Sequence, residues 1–519
     1  MAQLFHNGTI YSTPYNQVPE LFINDEGKVC SEQQFFDSPN KELIDLKGKV
    51  LIPSFRDGHL HPLLAGREAH GLNVTKAKTV TELGLLLRDH IEQNPGLTWL
   101  DAGTYNRGIA GEQTCWTLDE FVSSIPVILH ADDHHTIWVN SRALELAEIS
   151  NTNIPEFSIG GIDVDPDGNP IGILRESQAK ELILSKAPRR TTSADVEAML
   201  LADQLLLESG ITEAQDAWVD ADILQTYLNA APRLRLDYKL AIGLTPETLT
   251  SDLTFAIQAK EQLAGNARII AHSVKIFVDG VFGSASAAVS QPYLTTLKTG
   301  DLNWSFDTLC RALIFAKAEN LQPHLHAIGD AAVEFALDAI ESVGVENAVI
   351  AHAELVSHEL LLRAKRHKVT CCVQPYWAQR NDLLLTCIDH LGEERLNDLY
   401  AFKSMLQLGI PVVFSSDWPV SSYKPLDGIG VAVFRQRDAE QAKHNPEQAL
   451  SMQEALTAYT SSVAKMLNSG TGELTVGSDF DAQIISADLN NQDLESFSTL
   501  QVLAVYKSGV RLFPHHQDR

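Results

Sequence analysis

The stretch Leu51-Ile52-Pro53-Ser54-Phe55-Arg56-Asp57-Gly58-His59-Leu60-His61-Pro62 is an apolar run that ends in His-x-His. In a strand, residues two apart point to one face, so His59 and His61 present two imidazoles side by side. Neutral imidazoles paired in this way suit a divalent transition metal, zinc above all. Alone, the motif is as readily a chance spacing in a packed strand as a ligand pair. Its meaning depends on what other strand ends bring to it.

Four later segments bring ligand-type residues. In Val274-Lys275-Ile276-Phe277-Val278-Asp279-Gly280, the residues Lys275, Phe277 and Asp279 share one face. A lysine aimed into a closed interior is costly as a bare ammonium, so it must be paired or neutral. On spacing alone, a salt bridge to Asp279 or Glu176 is the simpler reading. The functional one is a neutral amine that has captured carbon dioxide as a carbamate, an oxygen ligand able to bridge two metals. His324-Leu325-His326-Ala327-Ile328-Gly329-Asp330 is a second His-x-His at a strand end, followed by Ile350-Ala351-His352-Ala353-Glu354 and Phe414-Ser415-Ser416-Asp417-Trp418-Pro419. Each His or Asp taken singly reads as packing or capping. Five strand ends carrying His, Lys, His, His and Asp in order are hard to produce by accident.

Imidazoles and an oxygen anion can hold Zn²⁺ while leaving one position open for water. The metal lowers the pKa of that water to about 7 and polarises a substrate carbonyl. A carboxylate such as Asp417 can take the water's proton and pass it to the leaving group. By strand parity His324 shares the inward face of His326. It reads either as a packed histidine beneath the metal or as a support or substrate contact beside it, and Asp279 falls with it on the substrate side.

Something must hold these strand ends in one place. From about residue 200 strand-like and helix-like stretches alternate. Strands are expected at 211–215, 236–242, 273–279, 323–327, 349–353, 369–374 and 411–416, with helices at 194–209, 305–320, 330–343, 357–367 and 400–409 between most of them. With 50–57 as the first, the count is eight, that of a TIM-like (β/α)₈ barrel of the α/β class, whose active sites lie at the C-terminal strand ends. Residues 1–52 and 471–519 have a β texture and are expected to form one β-sandwich domain from both termini, leaving 53–470 to the barrel. Residues 66–190 break the barrel's rhythm, with a helix at 80–93, short strands at 97–103 and 126–131 and a turn-rich piece at 163–170. They are expected to be a large insertion after the first strand, an inserted subdomain over the barrel mouth.

Composition narrows the partners. The 519-residue chain carries 40 Lys+Arg against 67 Asp+Glu, so 40 − 67 = −27. That balance disfavours nucleic acid and anionic membrane surfaces. Eighteen apolar residues never run together, so no membrane span is expected. The start, Met1-Ala2-Gln3-Leu4-Phe5-His6-Asn7-Gly8, lacks a basic region and a long apolar region, so no signal peptide is expected. The six cysteines have no C-x-x-C spacing, which argues against a disulfide framework or a Cys-ligated zinc and for reduced thiols in the cytoplasm.

The ordered set, with its flanking motifs, resembles the amidohydrolase superfamily and within it the YtcJ-like branch, which includes N-substituted formamide deformylase. The matching pieces are Phe55–His61, Val274–Gly280, His326–Asp330, His352 in Ala351-His352-Ala353-Glu354, and Ser416–Pro419. His135-Thr136-Ile137-Trp138-Val139-Asn140-Ser141-Arg142-Ala143-Leu144 is similar to a branch-specific segment. The resemblance covers nearly the whole chain. It implies metal ligands at His59, His61, His326 and His352, a carboxylated Lys275, and Asp417 as general base and further ligand, with one or two Zn²⁺ (or another divalent metal) per chain. It also implies that His135 and Glu176 face the substrate pocket. Three departures stand out: Arg56 where the family's Gly-Phe-Ile-Asp has isoleucine, Ala351 where an acid is frequent, and His134 where a glycine is usual.

The leading expectation is a metal-dependent hydrolase cutting the C–N bond of an amide or cyclic amide in a small molecule. An esterase or other metal-assisted hydrolase uses the same activated water. A non-catalytic regulatory or binding protein on the same fold is the reading from another class; loss of a ligand would favour it, and none is lost. A homodimer is compatible with the sequence.

Overall fold

The apolar run before His59 is two strands, not one. Val50–Pro53 lies antiparallel to Ala482–Ile485 and parallel to Thr9–Thr13, whereas Phe55–Leu60 lies in a different sheet. The chain changes sheets at Ser54. Its N–H donates to Asp481 O, and the next N–H, of Phe55, donates to Gly210 O. This is a computed structural model, and it describes residues 1–131, 136–157, 160–490 and 492–514.

Phe55–Leu60 opens an eight-stranded, all-parallel barrel. Its strands, in chain order and in spatial order, are β1 (Phe55–Leu60), β2 (Ile211–Val219), β3 (Asp237–Leu244), β4 (Ile269–Phe277), β5 (Gln322–Ala327), β6 (Val349–His352), β7 (Thr370–Val373) and β8 (Val412–Phe414). Almost every residue in them is buried, as expected for a parallel sheet covered on one face by helices and filled on the other by side chains. Helices follow the strands: Ala221–Ala230, Leu249–Gln262, Phe306–Ala318, Asp330–Val343, His358–Arg366 and Pro425–Phe434. Their starts are set locally. Asp220, Ser305 and Ser357 each accept a backbone N–H from the first turn, satisfying a donor that the helix leaves open.

The ladder leaves a seam between β8 and β1, which backbone bonds beyond the ladder close. Asp417 N–H donates to His59 O at 2.8 Å, and His61 N–H donates to Trp418 O at 2.8 Å. Both bonds lie at the C-terminal strand ends, so the closure of the barrel and the placement of three candidate ligands are one event.

The terminal strands make two further sheets. A six-stranded sheet runs Val510–Phe513, Val502–Lys507, Ala482–Ile485, Val50–Pro53, Thr9–Thr13, Asn16–Val18, and a four-stranded one uses Val29–Cys30, Leu21–Ile23, Ala2–His6 and Lys41–Asp45. They share a core that includes Phe5, Ile23, Leu51, Phe480 and Tyr506.

By its internal contacts the chain divides into two compact units: Met1–Pro62 with Asp203–Arg519, and Leu63–Ala202. The second unit has a five-stranded sheet, Gly161–Val164, Pro170–Arg175, Thr136–Val139, Val127–Ala131, Leu100–Tyr105, packed on a core around Tyr105, Leu129 and Trp138. The turn-rich piece near 165 is the hairpin turn between the first two of these strands, with Asp165 accepting the N–H groups of Asp167 and Asn169. Among the described residues, no helix is long and apolar enough to cross a membrane, and all six cysteines are free.

Candidate metal centre

Strand alternation and register bring the inward residues together. Lys275 pairs across β4–β5 with His324, Phe277 with His326, and across β5–β6 His326 pairs with Ala351. Around the top of the barrel, His59 Nε2 and His61 Nε2 lie 3.4 and 3.3 Å from Asp417 Oδ1, and Lys275 Nζ lies 3.3 Å from His59 Nε2. Four donor-type atoms at such spacing have a simple meaning. Bonds of about 2.0–2.1 Å at a tetrahedral angle place neighbouring ligand atoms roughly 3.3–3.4 Å apart. His59, His61 and Asp417 therefore fit a tetrahedral divalent metal.

A second pole sits beside the first. The His326 and His352 rings are 4.4 Å apart between centroids, and His59 is 4.9 Å from His352. His326 Nε2 is 3.0 Å from Gly280 O, so it donates there and Nδ1 keeps the lone pair. His352 is oriented the other way. Its Nδ1 donates to Gln374 Oε1 at 2.9 Å, while Gln374 Nε2 donates to Ser415 Oγ at 2.9 Å, leaving His352 Nε2 as the free acceptor. Trp377 stacks on the same ring, 5.6 Å away and 6° from parallel.

Electrostatics keep the buried imidazoles neutral. Burial holds the His59 and His326 imidazoles far below their usual range and His352 at about 4, so all three are neutral at pH 7. Burial likewise lowers the Lys275 ammonium to about 7, against the opposing pull of Asp417, while Nζ rests 4.7 Å over the Phe277 ring. Asp417 is the exception. Burial would raise its carboxyl, but the bond to His61 and the neighbouring His352, His61 and Lys275 outweigh it and hold the group below the ordinary carboxylate range.

The backbone here is bent to aim these groups. His352, Ala353 and Asp417 have φ of 74°, 44° and 52°, left-handed values that cost a non-glycine residue about 1–3 kcal/mol each. Beneath them, the buried Asp57 carboxylate accepts the N–H groups of His59 and Ser416 and so ties β1 to the end of β8. Burial raises Asp57 to about 7.

Two sequence-based assignments change. Asp279 forms no salt bridge with Lys275 among the described residues. Its Oδ1 accepts Ile328 N–H and its Oδ2 accepts those of Ala288 and Gly329, so it is a buried anchor for three loop N–H groups rather than an exposed substrate contact. His324 is also fully buried, with Nε2 2.8 Å from His59 Nδ1 and Nδ1 2.9 Å from Gln215 Nε2. It backs the candidate ligand His59, which is the supporting role among the readings its strand parity allows. Glu176 belongs to the second unit, as the first residue of the helix Glu176–Leu184 with φ of 64°. His134 and His135 lie outside the described residues. Sequence reasoning missed Gln215, Gln374 and Asp57. It missed Cys372 too, whose buried Sγ lies with His59 and His324 in a second group of ligand atoms.

Arg56, the departure without a role in the sequence, has one in the fold. One position out of phase with His59, it leaves the barrel interior and pairs with Glu213 of β2 at 3.1 Å and with Asp481, just before Ala482–Ile485, at 3.4 Å.

A parallel eight-stranded barrel whose strand ends carry this donor set defines a metal-dependent hydrolase fold. The chain belongs to the amidohydrolase family, whose model matches residues 42–513. It is 28% identical over 511 residues to YtcJ, a candidate amidohydrolase of Bacillus subtilis (strain 168), covering 94% of this chain and 95% of that one. It is 26% identical over 502 residues to the N-substituted formamide deformylase of Arthrobacter pascens, covering 91% and 90%. The crystal structure of an uncharacterized metal-dependent hydrolase from Pyrococcus furiosus superposes with a TM-score of 0.75 at 25% identity, covering 94% of this chain and 99% of that one.

Proposed function

We propose that this protein is a zinc-dependent amidohydrolase that cleaves a C–N bond, in an amide or cyclic amide, of a small molecule. The observation that carries the reading is the 3.3–3.4 Å spacing of His59 Nε2, His61 Nε2 and Asp417 Oδ1. Nitrogen and oxygen donors at tetrahedral separations favour zinc over the harder magnesium and calcium, which take six or more oxygens. His59, His61 and Asp417 would hold one ion, and His326 and His352 a second. Lys275, as a carbamate, would stand between them, since an amine with a pKa near 7 is neutral often enough to capture carbon dioxide.

When bound, the metal supplies an acidified water and a polarised carbonyl. The chain's own residues do the rest. Asp417, ionised through the neutral range, accepts a proton at a carboxylate oxygen and delivers it to the departing nitrogen. That delivery favours amides: an amine leaves poorly without a proton, whereas an alkoxide from an activated ester needs less help. His59, His326 and His352 stay neutral and hold position, and Gln374 keeps the lone pair of His352 Nε2 free.

The test is metal analysis of purified protein together with a screen of amides and matched esters. Expected are one to two zinc ions per chain and amide turnover that is lost on chelation and restored by zinc. Full amide turnover by metal-free protein, or turnover of esters alone, would overturn the proposal.

A further inference from the structure

The buried partners of His59 form a chain in which donors and acceptors can be assigned one by one. Gln215 on β2 is fully buried. Its side-chain nitrogen lies 3.3 Å from Gly58 O and 2.9 Å from His324 Nδ1, and its oxygen accepts Ser273 Oγ at 3.0 Å. A carbonyl can only accept, so Gly58 O requires the NH₂ end of Gln215 on its side, and the other hydrogen of that NH₂ meets His324 Nδ1. A neutral imidazole that accepts at Nδ1 carries its proton on Nε2. His324 Nε2–H therefore donates to His59 Nδ1, 2.8 Å away. The same rule then puts the proton of His59 on Nε2, the atom that faces Asp417 and Lys275.

That is the wrong nitrogen for ligation, because a metal needs the Nε2 lone pair. One rotation removes the conflict. With the Gln215 amide turned over, its oxygen accepts from His324 Nδ1–H and its NH₂ donates to Ser273 Oγ. The Ser273 hydroxyl hydrogen then turns to His272 Nδ1, 2.8 Å away, and the proton that Nδ1 donated to Ser273 Oγ in the first arrangement moves through water to His272 Nε2. His324 Nε2 now accepts from His59 Nδ1–H, and His59 Nε2 is bare. The protons balance: the one between the two rings shifts from His324 Nε2 to His59 Nδ1, the one on His59 Nε2 passes to water, and water returns one to His324 Nδ1. Both rings remain neutral, and the cost is an oxygen facing Gly58 O.

We propose that Gln215 is a positioning residue that, through His324, selects which nitrogen of His59 carries the proton, and that metal capture turns its amide over. This rests on the reading of His59 as a metal ligand. Gln215 touches neither metal nor substrate, and its influence travels through two rings.

The experiment is ¹⁵N NMR of histidine-labelled full-length protein, with and without zinc, the two rings being assigned by signals lost in His59→Gln and His324→Gln. Expected without metal are Nε2–H patterns on both rings, and with zinc Nδ1–H on His324 and Nδ1–H with a metal-shifted Nε2 on His59. If zinc shifts His59 but the metal-free ring already carries its proton on Nδ1, the proposal is overturned and the ligand reading stands. If zinc leaves His59 unshifted, both fall, and the failure lies with the ligand assignment. A second measurement is zinc affinity in two variants. Gln215→Glu, which can accept from His324 Nδ1–H without turning, is expected to bind at least as tightly as wild type, and Gln215→Leu about 10- to 100-fold more weakly. A purely packing role weakens both, so a Glu variant no better than the Leu variant also overturns it.

Discussion

Two buried polar clusters share β1, and they differ in kind. On one side of the strand, Arg56 meets Glu213 and Asp481, Lys239 lies 3.7 Å from Glu213, and Ser469 donates to the same carboxylate. Opposite charges face each other there, with a donor aimed at an acceptor. Burial still raises the Glu213 carboxyl, against the pull of Arg56. On the other side, Asp417 Oδ1 lies 3.4 Å from His59 Nε2 and 3.3 Å from His61 Nε2, and Lys275 Nζ lies 3.3 Å from His59 Nε2, all longer than an ordinary hydrogen bond. The first cluster pairs its opposite charges within itself. The second is shaped around something that the chain does not supply. Burial of charge alone does not mark a functional site; ligand-type atoms gathered at the separations of a tetrahedral metal do.

The comparison breaks most sharply at His59. His59→Ala is expected to empty the first metal position and lower kcat/KM by about 10³ or more, the scale of several kcal/mol of transition-state stabilisation. Elemental analysis and turnover on the same preparation check it, and a variant with full metal and activity would show that the convergence is accidental. Asp417→Asn keeps an oxygen at the site but no base. Its kcat is expected to drop roughly 10² or more with an unchanged circular dichroism spectrum, and near-native kcat would remove the proton-transfer role.

Gln374 sharpens the contrast, because it supports the converging cluster without joining it. Gln374→Leu frees the His352 ring to place its proton on Nε2, and zinc affinity is expected to fall about 10- to 100-fold with little change in melting temperature. An unchanged affinity would mean that Gln374 only fills space. Arg56→Met makes the opposite pattern. It leaves Asp481 without its cation and Glu213 with Lys239 alone, 3.7 Å away, an expected loss of about 3–5 kcal/mol in denaturant unfolding, while zinc content and kcat hold. Metal loss in that variant would merge the two clusters into one.

Why the converging cluster is legible in the chain and the Arg56 cluster is not follows from the same contrast. The candidate ligands stand at strand ends with fixed parity, so spacing picks out His59, His61, His324, His326, His352 and Asp417 once eight strands are counted, and the family motif prefers His326 to His324. The other seven strands lie within four residues of the bounds expected from the sequence. The first was misplaced because Val50–Pro53 and Phe55–Leu60 are both fully buried. Nothing in the apolar pattern marks Ser54 as the point where the chain passes from one sheet to another. Arg56 was opaque because its partner Asp481 lies 425 positions away. Gln215 and Gln374 were invisible for another reason: a glutamine is ordinarily a surface residue, and its value here depends on which lone pair a neighbour offers. Asp279 shared the parity of Lys275 and was grouped with it, but the loop N–H groups of Ala288, Ile328 and Gly329 claim its oxygens first.

The smallest expected effect tests whether Lys275 belongs to the converging cluster or is merely buried beside it. An ammonium in this interior is a liability until it is neutralised. In the unfolded chain the lysine holds its proton up to its ordinary value of 10.5, whereas in the fold burial lets it go at about 7. Between those values the unfolded state binds more protons than the folded one, so stability rises with pH. Below about 7 both states are protonated and the penalty is present in full. Metal-free wild type is therefore expected to gain stability between pH 6.5 and 8.5 relative to Lys275→Met, which has no such proton to lose. At the lower pH the variant is expected to melt about 1–3 °C higher, the scale of roughly one kcal/mol spread over a large unit. Loaded with zinc the order reverses, since the variant lacks the group that would join the two metal positions. Differential scanning calorimetry of both proteins, with and without zinc at the two pH values, reads all four cases. A variant less stable than wild type when metal-free would mean that Lys275 is held by contacts of its own, as Arg56 is, and it would move from the second kind of cluster to the first.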